Sequence, residues 1–224
     1  MDIGAVDGKD EGMYFRLVNH YPAIGKASEL RLLLEDRVRT ENAGGSSRSA
    51  LLTEILGLEP VFTHAIQHDN FAAWESHVSR ISLDAKFQAT AAKMQATMSR
   101  GQTQELHNVL TRFTTARAVN YLWSNTFFPV PGKAPELRRL LEERANTSTA
   151  RGSAAATLLS QMYPPDGANF MLAIAFSELA GLEAYQQGMQ TDPAYQSWST
   201  ALTSVLGRPN RQRILRVLVP FPPD

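Results

Sequence analysis

Residues 25–37 read GKASELRLLLEDR, and residues 132–144 read GKAPELRRLLEER. Ten of these thirteen positions are identical, and the offset between the two stretches is 107 residues (132 minus 25). The alignment continues on both sides of this stretch, and it moves to an offset of 108 after one inserted residue near Gly167. Self-similarity at a fixed spacing indicates that one structural unit has been duplicated within the chain.

The duplication divides the chain into two repeats of about 100 residues, the ordinary size of a small domain. We predict a first repeat over residues 13–113 and a second repeat over residues 120–221, joined by a linker at 114–119. Residues 1–12 are acidic and rich in glycine and are expected to be a flexible N-terminal segment, and 222–224 form a short tail.

Each repeat is predicted to follow the order β-α-β-β-α-β. Short runs of aromatic and β-branched residues predict strands, and leucines at helical spacing predict helices. In the first repeat the strands are expected at 13–21, 50–56, 61–68 and 105–113, with helices beginning near 29, 70 and 85. This order is the ferredoxin-like split βαβ arrangement. Because its helices cover only one face of its sheet, we predict an α+β fold in which the two repeats pack sheet to sheet as an intramolecular pseudo-dimeric barrel.

Three stretches of the sequence resemble the dimeric α+β barrel superfamily, and within it the NIPSNAP-like and antibiotic-biosynthesis-monooxygenase-like groups. They are the Pro22…Gly25-Lys26 turn with its copy at 129–133, the strand and helix at 170–185, and the segment 191–196. The resemblance implies a small-molecule-binding protein of secondary metabolism that acts on an apolar or aromatic metabolite. Cofactor-independent oxygenation, cyclisation or isomerisation are the reactions it implies. A non-catalytic NIPSNAP-like binding or assembly protein and a haem-binding enzyme are the alternatives.

Composition excludes several classes of protein. Lysine plus arginine and aspartate plus glutamate each number 22, so the chain lacks the basic surplus typical of nucleic-acid binding. There is no cysteine, which excludes disulfides and thiolate chemistry. The longest apolar run, 170–176, is far shorter than the roughly 20 residues of a membrane helix. We expect a cytoplasmic protein with no membrane or nucleic-acid partner, and we leave open whether the fused pair forms a homodimer.

The usual motifs of nucleotide binding, zinc proteases and serine hydrolases are missing from the sequence. No cofactor and no metal site is therefore predicted.

Histidine is distributed unequally between the repeats. All five histidines lie in the first repeat, and their counterparts in the second are apolar or aromatic; the pairs are His20 and Phe127, His64 and Leu172, His68 and Phe176, His77 and Tyr185, and His107 and Leu215. A pair of repeats that has diverged in this way suggests that the first carries a reaction or ligand site while the second serves as scaffold.

His20, His64 and His107 are the predicted catalytic residues. In the expected strand order (fourth, first, third, second) they lie on neighbouring strands, and they converge if their side chains share a face. Histidine suits a general base because its pKa is close to neutrality. Ordinary strand-end histidines without a shared site, or ligands of a metal or haem, are the alternatives. His77 is predicted in a helix and expected at the surface.

The predicted ligand-binding residues are Arg16, Asn19, Tyr21, His68 and Trp123. Arg16 would hold an anionic group, Asn19 would orient a polar one, and Trp123 would form the floor of a pocket for a flat ligand. The competing readings are a solvated strand arginine, a hydrogen bond at a strand edge, and packing of the tryptophan in the core.

Overall fold

The computed structural model describes residues 12–45, 48–57, 59–115, 117–164 and 167–222. In the first repeat the elements are β1 (Tyr14–His20), α1 (Ala27–Ala43), β2 (Arg48–Glu54), β3 (Phe62–His68), α2 (Phe71–Leu83), α3 (Ala85–Thr97) and β4 (Thr103–Thr114). In the second repeat they are β5 (Tyr121–Pro129), α4 (Ala134–Ala150), β6 (Ala155–Gln161), β7 (Phe170–Phe176), α5 (Leu179–Thr191), α6 (Pro193–Val205) and β8 (Leu206–Val219). The predicted order of elements is confirmed in both repeats.

The strands are joined in the closed barrel order β1-β3-β2-β8-β5-β7-β6-β4. Each repeat therefore has its strands in the order fourth, first, third, second, as predicted. The predicted α+β fold, a pseudo-dimeric barrel of two ferredoxin-like repeats, is confirmed.

The chain forms two compact units whose boundaries fall within β4 and β8. The first unit contains Gly12–His107 and the chain from Leu215 onward, and the second contains Asn108–Ile214. The repeat boundaries predicted from the sequence differ slightly from these and stay a prediction.

The repeated stretch at 25–37 and 132–144 begins with the same turn in both units. Gly25 has φ +76 and Gly132 has φ +83, a region that side chains with a Cβ rarely adopt. In each unit a lysine then bonds the glutamate three residues on, at 2.7 Å in both Lys26–Glu29 and Lys133–Glu136. The repeated stretch therefore adopts the same turn and the same start of a helix in both units.

The core of the first unit lies between its sheet and its helices. Leu30, Leu34 and Val38 form a fully buried stripe along α1, because residues spaced by about four lie on one side of a helix. The stripe packs in one cluster with Leu51 of β2 and Phe62 of β3. The face of the sheet that carries Leu51 and Phe62 is therefore the face covered by helices.

Strand pairing shows which other side chains lie on this helix-covered face. His64 is paired with Val18 on β1 and with Leu51 on β2, and His20 is paired with Phe62. Directly paired residues project to the same side of a sheet, and alternate residues of a strand share a face. His64 and His20 therefore both project toward the helices.

In the part of the chain that the structure describes, no helix has both the length and the apolar character needed to span a membrane. The cytoplasmic location stays a prediction from the sequence.

Candidate functional site

Glu41 is the centre of a buried polar cluster in the first unit. It lies in the last turn of α1 and continues the buried stripe of that helix beyond Val38. Its side chain is 1% exposed, and Arg37 Nε donates to its Oε1 at 3.0 Å. Ser49 Oγ donates to its Oε2, also at 3.0 Å. A buried carboxylate needs such partners, since desolvation of an unpaired charge is costly.

Asn42 fixes the position of Ser49. The Asn42 side chain accepts a hydrogen bond from the Ser49 backbone N–H at 2.7 Å and donates to the Ser49 carbonyl oxygen at 2.9 Å. These two bonds join the end of α1 to the beginning of β2, so the Ser49 hydroxyl is held against Glu41.

His64 is the third partner of the Glu41 carboxylate. Its Nε2 lies 3.0 Å from Glu41 Oε2, and its side chain is completely buried. The contact is close enough for charge pairing, but it is not aligned as a hydrogen bond. The other ring nitrogen, Nδ1, is buried without a hydrogen-bond partner among the described residues.

Burial and charge set the protonation of this pair. Burial lowers the pKa of His64, and the opposing attraction of Glu41 does not reverse that direction. Burial alone would raise the pKa of Glu41, but the charges of His64 and Arg37 bring that pKa below its usual value. Because the Arg37 guanidinium bonds the carboxylate of Glu41, we assign an ionised Glu41 beside a neutral His64 at neutral pH. We place the single N–H of His64 on Nε2, the ring nitrogen nearer the carboxylate, which leaves a lone pair on Nδ1.

His20 lies beside this pair on the same face of the sheet. It is 0% exposed, and neither of its ring nitrogens has a hydrogen-bond partner in the described structure. Burial lowers the pKa of His20 to about 3, with the positive charges of His64, Arg37 and Arg16 acting in the same direction. The structure thus brings His20 and His64 together on one face of the sheet.

His68 and His77 form a second buried pair on the first unit. Their rings lie 5.4 Å apart in a T-shaped arrangement, and Trp74 lies 6.4 Å from His68. The prediction that His77 lies at the surface is wrong, because its side chain is 0% exposed. Trp74 and His77 are three residues apart on α2, so both turn toward β3. Burial lowers the pKa of His68 and of His77 to about 4 in each case.

His107 does not join His20 and His64. It lies on β4, where alternation places it on the same face as Thr103 and Glu105. Thr103 contacts Asn19, which lies on β1 next to His20 and therefore projects to the opposite face. The Nε2 of His107 lies 3.1 Å from Glu105 Oε2. Of the three predicted catalytic histidines, the structure brings two together and leaves the third on the other face.

Three predicted ligand-binding residues, two on β1 and one directly after it, bond protein groups on neighbouring strands. Arg16 donates to the Gln104 side chain from Nε at 3.1 Å and from Nη2 at 2.8 Å. Asn19 accepts from Thr63 at 2.7 Å and donates to Thr103 at 3.3 Å. The Tyr21 hydroxyl lies 3.0 Å from the Thr103 hydroxyl. Their role in ligand binding stays a prediction.

Trp123 belongs to the second unit. It is 9% exposed and packs in the apolar core, with its ring 6.2 Å from that of Tyr185. In the described part of the chain, no group of three or more histidine, aspartate and glutamate side chains is arranged to hold a metal ion.

Sequence reasoning missed Glu41, Arg37 and Ser49, although one signal was present. Glu41 lies three residues after Val38 on the buried stripe of α1, where an apolar residue is expected. Its counterpart Ser148 is also buried and polar. A carboxylate on the apolar side of a helix indicates a buried partner of opposite charge or a hydrogen-bond donor.

No protein-family model matches the sequence, and no curated protein matches it. Solved structures do match over almost the whole chain. A candidate monooxygenase from Fusobacterium nucleatum has a TM-score of 0.75 at 9% identity, covering 92% of this chain and 93% of its own. An anthrone oxidase-like protein has a TM-score of 0.65 at 14% identity, covering 94% and 92%.

A third structural neighbour is described as having a ferredoxin fold. It is a ferredoxin-fold protein from Listeria monocytogenes that is related to antibiotic biosynthesis monooxygenases. It matches with a TM-score of 0.51 at 9% identity, covering 95% of this chain and 96% of its own. At such identities the likeness shows the fold. The chain therefore has the monooxygenase-like ferredoxin fold, in agreement with the resemblance found in the sequence.

Proposed function

We propose that the first unit is a proton-transfer site in which His64 removes a proton from an apolar or aromatic small molecule. The observation that supports this most is the 3.0 Å contact between Glu41 Oε2 and His64 Nε2, with Glu41 held by Arg37 and Ser49. A histidine base next to a fixed carboxylate is an arrangement that enzymes use in general-base catalysis.

Each residue of the cluster has a role in this proposal. Glu41 orients the imidazole and stabilises the imidazolium that forms when Nδ1 accepts the substrate proton. Arg37 and Ser49 position Glu41. His20, whose low pKa keeps it neutral, accepts or donates a hydrogen bond next to the reacting group.

Three reactions begin with this proton removal. The carbanion takes a proton back at another carbon in an isomerisation, or attacks an internal carbonyl in a cyclisation. In an oxygenation it reacts with dioxygen, and a CH₂ group plus O₂ becomes a C=O group plus water. An anthrone has such an acidic CH₂ group, and one structural neighbour is named anthrone oxidase-like. We therefore choose anthrone as the probe.

The substrate must reach a completely covered histidine, so the helices above the sheet have to move. A small crevice between α1 and α3 is lined by Arg37, Thr40 and Phe87 among others. The Arg37 guanidinium lies 4.3 Å from the centroid of the Phe87 ring. Displacement of Phe87 would open a path along Arg37 to Glu41 and His64.

Complete burial also favours a second candidate function, a non-catalytic binding or assembly protein in which the polar cluster fixes the core. Haem ligation has less support, because an axial histidine needs one side open to the haem, and all five histidines are 2% exposed or less. The small-molecule ligand predicted from the sequence stays a prediction, and the homodimer that the sequence left open stays open.

Exchange of the anthrone CH₂ protons in D₂O without oxygen, followed by NMR, measures proton removal alone. The protein should accelerate this exchange, and His64→Gln should reduce the acceleration by about 100-fold or more. Glu41→Gln should move the acidic limb of the pH profile to lower pH, because Glu41 raises the pKa of His64.

Glu35→Gln is the matched control. Glu35 also lies on α1, but it pairs with Arg31 and Arg39, and among the residues that the structure describes no histidine pairs with it. Its substitution should leave exchange unchanged. Absence of acceleration by the native protein, or full exchange activity in folded His64→Gln, would contradict catalysis at His64.

A further inference from the structure

Arg144 lies in an aromatic enclosure in the second unit. It projects from α4 and is 5% exposed. Its guanidinium carbon lies 5.0 Å from the ring centroid of Tyr185, 4.8 Å from that of Tyr195 and 5.6 Å from that of Trp198. One guanidinium nitrogen also contacts the sulfur of Met189. Aromatic faces attract a cation, but they do not neutralise its charge.

Comparison with the first unit shows that Arg144 lacks a carboxylate partner. Its counterpart Arg37 lies 4.3 Å from the Phe87 ring, just as Arg144 lies over Tyr195, and Arg37 also bonds the carboxylate of Glu41. At the position of Glu41 the second unit has Ser148. Over the residues that the structure describes, no carboxylate lies within ion-pairing distance of Arg144. Arg144 is therefore a buried positive charge without the carboxylate that its counterpart Arg37 has in Glu41.

The surroundings of Arg144 favour an anion. Asp192 contributes a negative charge nearby, but it forms its ion pair with Arg151, which is itself positive. Burial lowers the pKa of the Arg144 guanidinium, although an arginine remains protonated at neutral pH. Pairing with a carboxylate would recover part of the solvation that the buried guanidinium has lost.

Polar groups next to Arg144 complete the enclosure. The Ser148 hydroxyl donates to the Arg144 carbonyl oxygen at 2.7 Å and lies 2.9 Å from the Tyr185 hydroxyl. Tyr185 therefore donates to Ser148, and its O–H becomes available to a ligand if it rotates away. Tyr195 and Trp198 are half-buried, so the aromatic wall is in part accessible from solvent.

We propose that the second unit binds a small aromatic carboxylate at Arg144, with the carboxylate in the position that Glu41 occupies beside Arg37. The apolar part of the ligand packs against Tyr195 and Trp198. This site goes beyond the proposed proton-transfer function, because it uses residues of the other repeat and no histidine.

Benzoate and benzamide are suitable probes, because they have the same shape and differ in charge. Calorimetric titration of the native protein at constant ionic strength should give saturable benzoate binding. Benzamide should bind at least about tenfold more weakly, since a charge-assisted hydrogen bond is replaced by a neutral one. Saturation should be reached below about 10 mM benzoate.

Three variants connect the binding to Arg144. Arg144→Met should weaken benzoate binding by about tenfold or more. Arg138→Met is the matched control on the exposed side of α4, where Arg138 pairs with Glu142, and it should bind as the native protein does. Ser148→Glu supplies an internal carboxylate four residues after Arg144, as in the first unit, and should abolish benzoate binding.

The proposal is overturned if benzoate shows no saturation at about 10 mM or if benzamide binds equally well. Unchanged benzoate affinity in folded Arg144→Met would also overturn it. If that variant does not fold, Ser148→Glu decides, because undiminished benzoate binding by a folded protein with a carboxylate at 148 contradicts the site. None of these measurements depends on anthrone exchange, so failure of one proposal leaves the other standing.

Discussion

The two units use the same helix–sheet interface in opposite ways. In the first unit, an ionised Glu41 and a neutral His64 form a polar pair between α1 and β3. In the second unit the equivalent positions on α4 and β7 hold Ser148 and Leu172, and Leu172 belongs to a continuous apolar cluster. Within this pair of repeats, one backbone supports either a polar network or an apolar core. The polar choice is therefore not required by the fold.

This difference indicates where stability and function lie. A buried ion pair often contributes less to stability than apolar residues of similar volume, because its desolvation is costly. The second unit shows that the position of His64 accepts an apolar residue, Leu172, and that the position of Glu41 accepts an uncharged one, Ser148. The first unit retains charge in the same place, which favours a functional reason for Glu41 and His64.

Glu41→Leu should have the largest effect on stability. Arg37, Ser49 and His64 would each lose a partner in the core, and breaking a buried pair by removing one member costs about 3–5 kcal/mol. The free energy of unfolding from urea denaturation measures the loss.

A variant that copies the second unit sharpens this result. Glu41→Ser, Ser49→Ala and His64→Leu together install the residues found at 148, 156 and 172. The triple variant should be more stable than Glu41→Leu by several kcal/mol, because polar groups are removed together rather than left unpaired. A triple variant as unstable as Glu41→Leu would show that the two interfaces are not interchangeable.

Acid should destabilise the first unit through its buried histidines. The pKa values of His68 and His77 are lowered to about 4 and that of His20 to about 3. Below pH 6.5 the unfolded chain therefore binds protons that the folded chain does not. Stability is complete above this pH and falls toward pH 4, by about 1.4 kcal/mol per pH unit for each proton taken up on unfolding.

The second unit again supplies the control. Phe176 and Tyr185 are the counterparts of His68 and His77, and their rings have nearly the same T-shaped geometry, 5.3 Å apart against 5.4 Å. His68→Phe with His77→Tyr should keep the packing and reduce the slope of unfolding free energy between pH 6.5 and 4.5. An unchanged slope would show that other groups cause the acid sensitivity.

The sequence predicted the fold well because local and repeated signals carried it. The glycine turn, the leucine stripe of α1 and the strand runs each depend on residues close together in the chain, and the repeat supplied every signal twice. Strand order followed from the known arrangement of the ferredoxin-like fold. His20 and His64 were placed at one sheet edge by the same reasoning.

The chemistry of the cluster was less predictable because it depends on contacts between distant elements. Sequence alone did not show that His20 and His64 face the helices, so Glu41, the partner of His64, was missed. Strand alternation groups His107 with Thr103 on one face of β4. Only the contact of Thr103 with Asn19 on β1 shows that this is the face opposite His20 and His64. The burial of His77 depends on how α2 packs on β3, which its own helical pattern does not reveal.

The smallest expected effect concerns the glycine turns before α1 and α4, which have the same geometry in the two units. Gly25→Ala and Gly132→Ala each place a Cβ at positive φ, and an added Cβ would meet no atom within 4 Å at either site. The cost is then backbone strain alone, about 1–2 kcal/mol. Because the turns match, the two substitutions should lower the free energy of unfolding by the same amount in urea denaturation. Unequal costs would mean that the two turns differ in the folded protein, although both place a glycine at positive φ before the helix.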